Sequence, residues 1–190
     1  MLAQHSDLAS RVSYWAQQLA HRLPGQETIY HSTVSCIISQ EISFKRSRAI
    51  RAQLYQMLGG KFTYDAVHSL TVSDLIRTGL KESRAHLIWS LPSTLQLEQL
   101  PYIVGVGTWT VKAVYIMTYS HPDIFLSEDA FIRKRLVQIF GCGSTPSDAA
   151  AIAEFWAGHK SAECRFLWRL QESGVQKLLS GAVLTQEDII

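Results

Sequence analysis

Apolar side chains recur along this chain with a spacing of about four residues, and no stretch alternates in the two-residue rhythm of a strand. The pattern predicts an all-α fold. Leu8, Val12, Trp15 and Leu19 form one stripe, closed by Pro24-Gly25, and Ile29, Thr33, Ile37 and Ile38 form the next. A break follows at Ser39-Gln40-Glu41-Ile42-Ser43. Ile50, Leu54, Met57 and Leu58 line a third helix that stops at Gly59-Gly60, while Thr71-Val72-Ser73-Asp74 reads as a capping box opening a short helix closed by Gly79. Further stripes run from Leu87 to Leu91, Val111 to Tyr119, Ala130 to Gly141, Ser147 to Ala157 and Ala162 to Leu170. Connectors are short, and the sequence shows no repeat, low-complexity tract or long linker.

With 190 residues, 47% of them hydrophobic, the chain is large enough for one domain or for two small helical lobes. Its net charge is only +2, so a nucleic-acid contact would have to come from local basic clusters and not from a general positive field. Lys45, Arg46, Arg48 and Arg51 make one such cluster, of which one or two members are expected on phosphate; Arg133, Lys134 and Arg135 make another. No stretch approaches the ~20 apolar residues of a membrane span, and the first thirty residues lack the apolar core of a signal peptide. The expectation is a protein that stays where it is made, without a membrane partner. Cys36, Cys142 and Cys164 are scattered and odd in number, which argues against a disulfide framework. The seven histidines form no pairing with zinc spacing.

The chemistry concentrates between residues 104 and 129. Val104-Gly105-Val106-Gly107-Thr108-Trp109-Thr110 reads as a tight turn opening a helix; two close glycines let backbone N–H groups face outward, where their partial positive charge suits a phosphate oxygen. One helix-length later stands the acidic pair Glu128-Asp129, just before the stripe that begins at Ala130. An Asp at that place is a natural helix N-cap, and it is also a candidate catalytic carboxylate.

This combination resembles the helix-hairpin-helix DNA glycosylases, the superfamily of endonuclease III, 8-oxoguanine glycosylase and 3-methyladenine glycosylase II, over roughly Glu27 to Trp168. Leu100 and Gly105-Val106-Gly107 match the hairpin, and Phe125-Leu126-Ser127-Glu128-Asp129 with Ile132-Arg133-Lys134 matches the family's catalytic Asp loop. Val104 replaces the usual proline, and Pro101 lies inside the short first helix of the hairpin. The resemblance implies a helix-hairpin-helix motif and two helical lobes flanking a DNA-binding groove, one formed by residues 1–25 with 122–190 and the other by 26–121. It implies a monomer that acts on double-stranded DNA containing a damaged base, in the cytoplasm and nucleoid of a bacterium or the nucleus of a eukaryote.

The family motif aligns its invariant acid with Asp129, not Glu128. Trp109 stands where lyase-competent relatives carry a nucleophilic lysine and where the 3-methyladenine glycosylase II branch carries a tryptophan, which implies a base-pocket wall for an alkylated, positively charged purine. Ala113 departs from that branch, which has a tyrosine there. Gly105, Gly107, Thr108, Thr110, Lys112, Lys45 and Arg46 are expected on the DNA backbone. Gln40, or its neighbour Glu41, is expected to fill the gap left by an extruded base. Some relatives hold a monovalent cation, Na+ or K+, through hairpin carbonyls, which here are those of Ile103 and Val106. Other relatives carry an iron–sulfur cluster, for which this chain lacks the four cysteines; no cofactor is expected. Three readings compete: a monofunctional glycosylase for damaged, alkylated purines; a glycosylase for 8-oxoguanine or deaminated bases, with lyase activity through Lys112; and a non-catalytic helix-hairpin-helix module that only binds DNA.

Overall fold

The computed structural model describes residues 2–22, 28–40, 42–118 and 120–189. Among these residues there are helices, turns and one isolated antiparallel bridge, Leu170 with Ile189, and no strand. The fold is all-α. Its contacts gather into two compact units, one made of residues 1–25 and 119–190 and the other of 26–118.

The continuous unit is built on α2 (Ile29–Ser39), whose Tyr30, Val34, Ile37 and Ile38 are all buried. Ser32, Thr33 and Ser35 are buried with them, so the helix is enclosed on more faces than its one apolar stripe marks. Helices α3 (Phe44–Met57), α6 (Glu82–Trp89) and α7 (Thr108–Met117) pack against it, with short α4 (Tyr64–His68) and α5 (Val72–Arg77) between α3 and α6. Hydroxyl caps start these elements: Thr28, Ser43 and Thr63 each accept a backbone N–H, and Thr71 with Asp74 forms the expected reciprocal box. Met57, expected on the apolar face of α3, is exposed, and Leu54 and Leu58 carry that contact. The segment before the hairpin is a 3-10 turn, Leu97–Tyr102, and not an α-helix. Pro101 accounts for that difference, because it lacks an N–H and its ring collides with the preceding turn of an α-helix.

The other unit is closed by the first helix. α1 (Leu2–Arg22) lies against α8 (Ala130–Phe140), α10 (Lys160–Arg169) and α11 (Glu172–Ser180). Its buried stripe is Leu8, Ala9, Val12 and Ala16; Trp15 and Leu19 are only half-buried, so the working face is turned from the one that the large residues mark. The Pro24-Gly25 stop and Glu41 lie outside the described residues. α9 (Pro146–Ala153) begins with a Thr145–Asp148 capping box and runs into a 3-10 turn, Glu154–Trp156, whose Trp156 indole donates to the Ala9 carbonyl at 3.1 Å. Glu163, fully buried on α10, accepts from Ser13 at 3.0 Å and pairs with His159 at 2.9 Å. Desolvation still pushes its carboxyl above the ordinary range.

α11 is the helix that the apolar pattern does not reveal. Gly174 interrupts its stripe, and this glycine is required: a Cβ there would meet the Leu170 side chain at 2.7 Å and the Asp188 carbonyl at 2.9 Å. The C-terminal segment is thus drawn tightly against α11. Asp188, itself buried, accepts from Lys177, Ser173 and Thr185, donors that hold its carboxyl far below the usual carboxylate range.

Candidate active site and nucleic-acid interface

The hairpin of the continuous unit is shaped by two glycines with different tasks. Gly105 has φ +92°, a left-handed conformation that side chains rarely adopt, and its missing Cβ also leaves room for the Leu87 methyl that would lie 3.1 Å away. Gly107, with ordinary extended angles, is the N-cap of α7. Having no side chain, it cannot bond the helix's first N–H groups, and α7 opens without a side-chain cap. Val106 points inward and donates its N–H to the Ile103 carbonyl at 3.0 Å, closing the turn. Arg84 donates to the Gly105 carbonyl at 3.3 Å from the side. Gly105, Gly107 and Thr108 are exposed; Trp109 and Lys112 are half-buried.

Thr110 and Gln40 have another arrangement. Thr110 is 1% exposed, and its hydroxyl accepts a hydrogen bond from the Gln40 side-chain amide, joining the end of α2 to the first turn of α7. As placed, Thr110 faces no solvent and cannot reach phosphate. Gln40 is a clasp within its own unit, with its amide oxygen also buried, and not an extended wedge. Among the basic residues, Lys45 and Arg48 are exposed on α3, and Arg46 spends part of its guanidinium on the Gly79 carbonyl at 3.2 Å.

In the discontinuous unit, Asp129 is the N-cap of α8. Phe131 and Ile132 donate their N–H groups to Oδ1 at 2.8 and 2.9 Å, and the Trp168 indole donates to Oδ2 at 3.3 Å. Asp129 is 8% exposed. Three N–H donors converging on one nearly buried side chain form a preorganised setting for a carboxylate, with the positive end of α8 behind it. Its neighbour Glu128 points to solvent. Trp168 is the site residue that the sequence does not disclose, since it stands 39 positions from the acid it contacts.

The basic run after Asp129 is engaged within this unit. Arg133 donates to the Ser127 carbonyl at 3.0 Å and so braces the acidic loop. Arg135, 3% exposed, pairs with Glu172 at 2.8 Å, and Lys134 reaches the same carboxylate at 3.2 Å. These cations, together with Gln138, hold the Glu172 carboxyl down to about 2. None of the described residues forms a group of three or more His, Cys, Asp or Glu able to hold a metal ion, and no described helix is long and apolar enough to cross a membrane.

Neither a protein-family model nor a curated protein sequence matches the chain. Solved structures do. The 3-methyladenine DNA glycosylase of Archaeoglobus fulgidus superimposes with a TM-score of 0.65 at 20% identity, over 74% of this chain and 57% of that one. The DNA-3-methyladenine glycosidase of Bacillus halodurans gives 0.56 at 19% identity, over 84% of this chain and 81% of its own. The 3-methyladenine DNA glycosylase of Schizosaccharomyces pombe, solved in complex with abasic DNA, gives 0.62 at 19%, over 77% and 84%. This chain has the fold of these glycosylases, and it spans little more than half the length of the Archaeoglobus protein.

Proposed function

We propose that the chain is a monofunctional DNA glycosylase that removes alkylated purines from duplex DNA. The observation that carries this reading is the state of Asp129: an acid held by two backbone N–H groups and an indole, in the loop that the sequence resemblance matches to the family's catalytic acid. Water adds to the sugar's C1′ as the bond from C1′ to the base nitrogen breaks; the bonding electrons leave with the base, and the water's proton passes to the carboxylate or to solvent. An alkylated purine already carries positive charge and leaves as a neutral base, so the carboxylate's task is to stabilise the cationic sugar and orient the water. A carboxylate that needs no reorganisation suits that task.

In this reading the hairpin holds the DNA backbone through the N–H groups around Gly105, Gly107 and Thr108, supported by Lys112 and by Lys45 on α3. Trp109 offers its electron-rich ring to the cationic base. The residues do not suit a hairpin cation: the Ile103 carbonyl already accepts from Val106, and Arg84 places a fixed positive charge on the adjacent Gly105 carbonyl.

The test uses duplex DNA alkylated with dimethyl sulfate, with enzyme in excess. Wild-type protein is expected to release methylated purines and leave abasic sites. Asp129→Asn, which keeps a side-chain oxygen for the cap, is expected to lower the single-turnover rate by a factor of about 100 to 1,000. Undiminished release by that variant would remove Asp129 from the mechanism. A covalent adduct trapped by borohydride would instead select the lyase reading through Lys112.

A further inference from the structure

We propose that Trp168 is a positioning residue for Asp129, its indole N–H fixing the carboxylate plane so that Oδ2 presents one defined face to the reaction. The inference deepens the reading of Asp129 given above and rests on it. The two backbone N–H donors bind only Oδ1, and they come from the helix that Asp129 itself begins. They set where the carboxyl group sits. They leave its rotation about the final side-chain bond soft, since that torsion has broad minima. A donor on Oδ2 narrows that rotation, and an acid that must meet a water and a sugar carbon in one geometry loses rate for each direction it wastes.

The Trp168 indole supplies such a donor from a different helix. It lies in the last turn of α10, between Leu167 and Leu170, both fully buried, so the backbone that carries it is anchored in the core. Its Nε1–H reaches Oδ2 at 3.3 Å. An indole N–H is a donor with no acceptor capacity and does not titrate at ordinary pH. It can orient a carboxylate without competing as a base, which a hydroxyl or an imidazole in the same place would do. The ring is also only half-buried, so one flank remains accessible while the N–H is engaged.

The experiment replaces Trp168 by benzothienylalanine, in which sulfur takes the place of the N–H and the bicyclic shape is kept. Single-turnover release of methylated purines from dimethyl-sulfate-treated duplex is measured with the full chain, together with Tm and the Kd for a duplex containing a tetrahydrofuran abasic-site analogue. The expected result is a rate lower by about 10- to 100-fold, the value of a hydrogen bond to a charged group, at unchanged Tm and Kd. An unchanged rate, or a rate that falls only in step with Tm, overturns the proposal. A second readout needs no activity: the Trp168 indole proton resonance should move when Asp129→Asn is introduced. If it stays in place, the contact is not made and the inference fails. A moved resonance in a protein inactive on alkylated DNA would instead sink the glycosylase reading and leave the contact standing.

Discussion

At Gly105 a single hydrogen atom decides whether the hairpin can close. Its left-handed angle strains any larger side chain and the Leu87 methyl would have to shift, so Gly105→Ala should lose about 1–2 kcal/mol in a urea unfolding experiment. The same variant should bind duplex DNA more weakly, because the N–H groups on either side of the turn would be re-aimed; full stability and full binding would show that the turn tolerates the change. This glycine was legible in the sequence, as was Asp129, since a turn and a helix cap are written in adjacent residues. Trp168 and the bond between Gln40 and Thr110 were not. Their partners lie 39 and 70 positions away, and an indole or an amide carries no local mark of what it will meet.

Among the elements, those with a cap and an unbroken stripe could be read directly: α3 ends at its glycine pair, α5 opens on its reciprocal box and α8 begins at its acid. Elements whose pattern yields to a neighbour could not. α11 contains Gly174 because the C-terminal segment presses on it, and the first arm of the hairpin is a 3-10 turn because of Pro101. The link between α8 and α11 through Glu172 gives a measurable effect. Its carboxyl sits near 2 in the fold against an ordinary 4.5, so the link contributes fully above about 4.5 and is lost as pH falls towards 2. Because Glu172 is 61% exposed, solvent screens most of that shift, and Glu172→Gln should cost about 1 kcal/mol or less at pH 7. Thermal melts across pH should show the difference from wild type vanishing by about pH 2; a difference constant with pH would mean that Glu172 contributes by packing alone.

For the molecule as a whole, a net charge of +2 limits the electrostatic part of any DNA affinity. Arg133 and Arg135 are committed to contacts within their own unit, and Arg46 is partly spent. A plot of log Kd against log salt should therefore have a shallow slope, about 2 to 4 in magnitude. Lys45→Ala should flatten it by about one and weaken binding to all sequences alike. An unaltered slope in that variant would take α3 off the phosphate path.

Synthesis meets the discontinuous unit in an awkward order. The ribosome delivers α1 ahead of the rest of its unit, with a row of apolar residues whose partners on α8, α10 and α11 follow only after all of residues 26–118 have been made. The inserted unit can complete its own core during that interval, whereas α1 must wait, exposed to chaperones and to neighbouring nascent chains, until α8, α10 and α11 leave the exit tunnel.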